Sequence, residues 1–335
     1  MAKTAFLFLI SFLPNFAKIA IYRFVFRADT GTGARIGFGT VIQAAEIRLG
    51  KHSSVGHFTF IKAAKVDIGS YVRIGHLTRI SVHEFIAKSR SIVSSRAEIM
   101  GSVDNAESVF SMDMHSWIFP YCFVDVSRQI TLGRNVGVGG GTYVFTHGYW
   151  LPSIDGFPVA YKPVVMGDDV WIPWGCFIMP GAVIGSKVII GAKSLVSGNV
   201  PDNALFAGSP ARLIREKCYK DVSTADKTAK MIELTKAFLA KEKITVQIAA
   251  TENLTSFVVD GKPLFTIYTQ QASPDRDGLN IVFWPCGNDV FEKTLCYSLA
   301  DYKSSSYEAM PETAKKWFQY IRCEGIRFYP VDEPA

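Results

Sequence analysis

No charge excess of the kind typical of a nucleic-acid binder, no apolar run able to span a bilayer and no cysteine framework marks this 335-residue sequence. Lysine and arginine number 36 against 30 acidic residues, and the resulting +6 is too mild to point to nucleic acid. Six cysteines (122, 176, 218, 286, 296 and 323) form no CxxC pair, which reads as free thiols in a reducing compartment. The apolar run Ala5–Leu13 is nine residues long, broken by Ser11 and stopped by Pro14, whereas a spanning helix wants about 20. Lys3 precedes that run, but no A-x-A site follows, so an export signal is not expected. Instead, residues 1–30 read as two short amphipathic helices, around 4–13 and 15–27. No phosphate loop or dinucleotide fingerprint is present, and Gly137–Gly141 reads as tight corners.

What the sequence does have is a period. From Met166 an aliphatic residue recurs at every sixth position: Ile172, Ile178, Ile184, Ile190, Val196. A glycine, proline or serine follows most of them. The phase also runs through Ile36, Ile42, Leu49, Val55, Ile61, Ile68, Ile74 and Ile80, and through Leu132, Val138 and Val144, with an occasional extra residue. Six fits neither a helix nor an alternating strand. It fits three short strands per coil of 18 to 19 residues, each sending one aliphatic residue inward before a corner. Ile86 and Ile92 are read as keeping the phase, and 97–117 as an excursion from it.

Residues 31–200 resemble the hexapeptide-repeat acyltransferases, most sharply over Lys162–Arg215 (K-P-V-V-M-G-D-D-V-W-I-P-W-G, then V-P-D-N-A-L-F-A-G-S-P-A-R-L-I-R). The subgroup it looks like acetylates sugars. The resemblance implies an all-β solenoid, a left-handed parallel β-helix, with acetyl-CoA as co-substrate, no metal, and active sites between subunits of a homotrimer. His147 then matches the family's catalytic base, at the root of a loop (147–164) that leaves the repeat. Asp125 matches an acceptor-binding acid, Trp171 the family tryptophan, and His115 stands near the place of a family asparagine. Where the family reads W-I-G, this chain reads Trp171-Ile172-Pro173-Trp174-Gly175. Proline has no N–H, so the oxyanion donor would be the backbone N–H of Trp174. Gly175, Lys193, Ser209, Pro210, Arg212 and Arg215 would line the coenzyme A slot, with 201–222 as a closing turn and helix. Packing explains Trp171 equally well, and Pro210 equally well ends the solenoid.

Residues 223–335 lose the period, contain no histidine, and read as a small α+β domain of unknown role. Helices are expected at Ala225–Lys243 and from Pro311 to Gly325. Strands are expected at Ile244–Ala249, Thr255–Val259, Leu264–Thr269, Leu279–Trp284, Thr294–Leu299 and Ile326–Tyr329. The expected activity is acetyl-CoA-dependent O-acetylation of a sugar hydroxyl in a surface polysaccharide or its precursor. The alternatives are N-acylation of a nucleotide-linked amino sugar and a non-catalytic scaffold. A zinc hydrolyase on the same fold would need further histidines near His147, and position 152 is proline. Residues 1–51 hold a local excess of +5, with Lys18, Arg23 and Arg27 among aromatics. That suits a cytoplasmic protein whose residues 1–27 touch the inner face of the membrane, or a cap on the solenoid's open end.

Overall fold

In the computed structural model, the described residues are 2–220, 222–251, 254–259, 262–268, 282–284, 296–298, 303–304, 312–323, 326 and 329–330. They fall into two compact units, Met1–Lys220 and Asp221–Ala335.

The first unit is an all-β solenoid of parallel strands, the fold class expected from the period. Its coils supply a 9-stranded, a 10-stranded and an 8-stranded sheet, here the first, second and third faces. On the second face Ile36, Val55, Ile74 and Val93 lie in register, 19 residues apart. On the third, Ile42, Ile61, Ile80 and Ile99 stack likewise. All eight are buried, each contributing about 1.5–3 kcal/mol of apolar transfer. Corners take left-handed φ one residue per coil, as at His52, Tyr71, Arg90 and His115, or at Phe58, Leu77, Arg96 and Tyr121.

Three sequence expectations change. Ile86 and Ile92 face outward while Phe85, Ala87 and Val93 are buried, because one extra residue enters after Ile80 and a slip of one reverses every side chain. The stretch 97–117 stays in the solenoid. Glu98–Gly101, Val109–Met112 and Trp117–Ile118 are ladder strands, and only the corner 102–108 is enlarged. Among the described residues, 201–220 and 222 contain no helix. Ala204–Gly208 extends the second face and Ala211–Glu216 turns back antiparallel on it through a cis Ser209-Pro210 peptide, giving the last coil's exposed edge a backbone partner.

Helix α1 (Ala2–Ile10) and helix α2 (Asn15–Phe24) cover the opposite end and are shorter than expected. Leu7, Ile10 and Tyr22 are buried with the solenoid core, and the Tyr22 hydroxyl both donates to the Ile42 carbonyl and accepts the Ile42 N–H at 3.0 Å. Lys18 is buried, not presented to a lipid surface: its ammonium donates to the carbonyls of Ser11 (3.2 Å) and Gly37 (2.5 Å). Burial pulls its pKa down.

In the second unit, α3 (Thr224–Lys241) starts on Ser223, whose hydroxyl accepts the Asp226 N–H. It and α4 (Glu312–Cys323) share a core with a 7-stranded sheet through Phe238, Phe257, Ile267, Trp317 and Ile321. Parts of several expected elements (Thr269, Leu279–Ile281, Thr294, Leu295, Leu299, Pro311, Gly325, Arg327 and Phe328), and Cys286, lie outside the described residues.

Candidate active site

His147 stands where the third face ends and the chain leaves the solenoid. His147–Gly148 pairs antiparallel with Ala160–Tyr161, closing the loop between them into a hairpin. The preceding coil places Asp125 beside it, because Phe123 and Val124 stack on Tyr143 and Val144. Asp125 is buried, and its Oδ2 accepts the N–H groups of Thr146 (3.0 Å) and His147 (3.1 Å) and the ring Nδ1–H of His147 (2.7 Å). Its Oδ1 accepts the Ser127 hydroxyl at 2.8 Å, and the Ser127 oxygen lies 3.1 Å from the same Nδ1. Burial pushes the Asp125 carboxyl pKa up, but the hydrogen bonds from Thr146, His147 and Ser127 outweigh it and hold it below the ordinary range.

An ionised carboxylate only accepts, so Nδ1 must carry the proton and Nε2 presents its lone pair. The His147 side chain is 35% exposed and reaches solvent. Asp125, expected to hold an acceptor, gives Oδ2 to the histidine's own turn and Oδ1 to Ser127. Sequence reading named Asp125 but missed Ser127 and Thr146, which share its carboxylate with His147. Tyr149 and Tyr161 flank the imidazole at ring distances of 5.5 and 6.0 Å, and the Arg128 guanidinium sits 4.6 Å over Tyr161.

The other expected residues lie on a different edge. Trp174 and Gly175 occupy the corner from the second face to the third, and Lys193 stands one coil on, its N–H donating to the Trp174 carbonyl at 3.1 Å. Among the described residues the Trp174 N–H has no acceptor. The Gly208 N–H donates to Ser194 Oγ at 3.0 Å, which brings the Ser209-Pro210 tip to this edge with Arg212 beside it, opposite Ala207. Arg215 is paired with Leu205, farther from the tip. His115 is buried at the corner between the first and second faces, so one chain does not bring it to His147.

Four aromatic rings cluster on the second face: Trp117 stacks on Phe119 at 4.4 Å, and Phe119 meets Trp171 at 5.8 Å and Trp174 at 6.3 Å. This explains the glycines read as corners. A Cβ on Gly137 would lie 2.6 Å from the Trp171 ring, and one on Gly140 2.1 Å from that of Trp174. Both indoles rest on bare backbone. Among the described residues no cluster of side chains suits a metal ion, and Cys122, Cys176, Cys218 and Cys323 are free thiols.

No family model matches the chain. Galactoside O-acetyltransferase of Escherichia coli is 26% identical over 159 residues, 40% of this chain and 75% of that protein. The chloramphenicol acetyltransferase of Agrobacterium fabrum is 36% identical over 75 residues, 21% and 36% of the two chains. The chain spans about half the length of other curated relatives, 51% of one from Saccharomyces cerevisiae at 33% identity. Among solved structures, a hexapeptide-repeat acetyltransferase of Vibrio cholerae complexed with acetyl coenzyme A is 21% identical, covering 66% of this chain and 87% of that one at a TM-score of 0.31. By sequence, part of this chain is similar to acetyltransferases of the hexapeptide-repeat kind, sugar O-acetyltransferases among them.

Proposed function

We propose that the protein transfers an acetyl group from acetyl-CoA to a sugar hydroxyl of a surface polysaccharide or its precursor. The observation that carries this reading is the Asp125–His147 pair, which fixes the proton on Nδ1 and frees Nε2 beside solvent. His147 Nε2 takes the hydroxyl proton as the oxygen bonds to the thioester carbonyl carbon. The Trp174 N–H stabilises the oxyanion, the C–S bond breaks, and the imidazolium returns its proton to the thiolate sulfur. Since His147 and Trp174 sit on different corners of one chain, the complete site lies between neighbouring subunits of a homotrimer. Gly175, Lys193, Ser209, Pro210 and Arg212 would hold the coenzyme, and the aromatic cluster around Trp171 gives a sugar ring an apolar face to stack on.

The test is thiol release from acetyl-CoA with hydroxyl-bearing and amine-bearing sugars, with products weighed by mass spectrometry. O-acetylated product is expected. Transfer to the amino sugars alone would move the assignment to N-acylation, and no transfer to any acceptor would overturn it.

The N-terminal arm is proposed to rest on the inner face of the membrane. No helix among the described residues is long and apolar enough to cross one. However, Phe8, Leu9, Phe16, Phe24 and Val25 are all 59% exposed or more, with Arg27 beside them. Phe8→Ser/Phe16→Ser/Phe24→Ser should leave the protein in the supernatant when the wild type pellets with phosphatidylglycerol vesicles. Equal pelleting would return the arm to the role of a cap alone.

A further inference from the structure

A groove of about 590 Å³ runs along the second face over the N-terminal coils, remote in the chain from His147. Arg35, Ser54 and Arg73 share one outward column of its wall, in direct register. The two guanidinium groups are therefore on coils about 10 Å apart, two coil spacings. Both arginines are exposed, no acidic residue lines the groove, and among the described residues neither side chain makes a hydrogen bond or ion pair. This is unlike the other faces, where Arg48 pairs with Asp67, Lys65 with Glu84 and Arg79 with Glu98, each one coil along.

The other wall is a histidine ladder. His57 and His76 stack with ring centroids 4.9 Å apart and planes 4° from parallel. Nδ1 of His57 accepts the Phe38 N–H, and Nδ1 of His76 accepts the His57 N–H, both at 2.9 Å. Each neutral ring thus carries its proton on Nε2, a donor with no partner among the described residues. Between the walls lie Gly37, Gly56 and Gly75, where an added Cβ would come within 2.2–2.5 Å of the next coil's backbone, so the floor has no side chains. Past Ile92 the same column continues into Trp117. A donor-rich, acid-free trough thereby leads along the axis to the aromatic cluster.

We propose that this groove binds the anionic groups of an extended acidic glycan. Arg35 and Arg73 would take successive negative groups, and His57 and His76 would donate to the oxygens between them. Naming a glycan rests on the acetyltransferase reading; the anion chemistry does not. The negative groups are either carboxylates along the chain or a diphosphate at its end.

Binding is measured by calorimetry on the full chain without acetyl-CoA, so that it is read independently of turnover. The probes are hexagalacturonate, neutral maltohexaose and inorganic pyrophosphate. Hexagalacturonate is expected to bind about tenfold or more tighter than maltohexaose. Arg35→Ser/Arg73→Ser should remove that preference, as should about 0.5 M salt, while acetyl transfer to a small neutral sugar is unchanged. Arginine-dependent binding of pyrophosphate in place of hexagalacturonate would assign the groove to a diphosphate. Equal affinity for the acidic and neutral hexamers without pyrophosphate binding, or an acidic preference that survives the double substitution, would overturn the proposal. Failed transfer with intact arginine-dependent binding would refute the acetyltransferase reading and leave the groove standing.

Discussion

His147→Ala is expected to slow acetyl transfer by about 10²–10⁴, the usual contribution of a general base, without changing the affinity for acetyl-CoA. Asp125→Asn should reproduce much of that loss although the two side chains are nearly isosteric. The carboxylate can only accept, so it keeps the His147 proton on Nδ1, 2.7 Å away. An amide in its place keeps its oxygen where the N–H groups of Thr146 and His147 need an acceptor, but it carries no negative charge to stabilise the imidazolium that forms when Nε2 takes the substrate proton. Ser127→Ala, which deletes one supporting hydroxyl at 2.8 Å, should cost far less. Turnover retained in His147→Ala would remove this residue from the mechanism. The pair also sets a sign for acid stability. The folded Asp125 carboxyl has a lowered pKa, so its contribution is complete above the unfolded value of about 3.9 and is lost as pH falls through the folded one. The wild type should therefore lose thermal stability below about pH 4 more steeply than Asp125→Asn.

Trp174→Pro is the second large effect, an expected loss of about 10²–10³ in kcat from deleting one oxyanion donor. The backbone should tolerate it. Gly175 follows with φ of 72°, the pattern of a turn that accepts proline just before its left-handed residue. Pro120 already occupies the equivalent corner, since Gly141 donates to the Pro120 carbonyl as Gly175 does to that of Gly140. Trp174→Gly is the control, losing the indole and keeping the N–H. If both variants fall equally, the indole and not the backbone donor is what matters.

The aliphatic columns were legible because a repeat samples the same inward position many times. Ile172, Ile178 and Ile184 each confirm the phase set by the others, and all are buried. Single insertions were not legible in that way: Ile86 and Ile92 fit the period by type, yet the extra residue after Ile80 turns them outward. As the proposed base, His147 was legible through the resemblance of the spacing around it to the family's, at the root of a loop that leaves the repeat. Its partner's task was not, because which groups Asp125 meets depends on coil-to-coil register and not on spacing to a motif. Lys18 shows the same limit from the other side. Its position among aromatics suggests a lipid-facing cation, but two backbone carbonyls at the solenoid's end hold it inside.

The 19-residue register of Arg35, Ser54 and Arg73 makes the first coils interchangeable parts. Excising or duplicating one such block moves everything beyond it by a single strand spacing without altering any inward column. The distance from the guanidinium wall to the indoles can change only in whole steps of about 4.8 Å. Selection on a protein of this kind would tune ligand length as a ruler is cut, by integer marks, with chemistry at one end held constant.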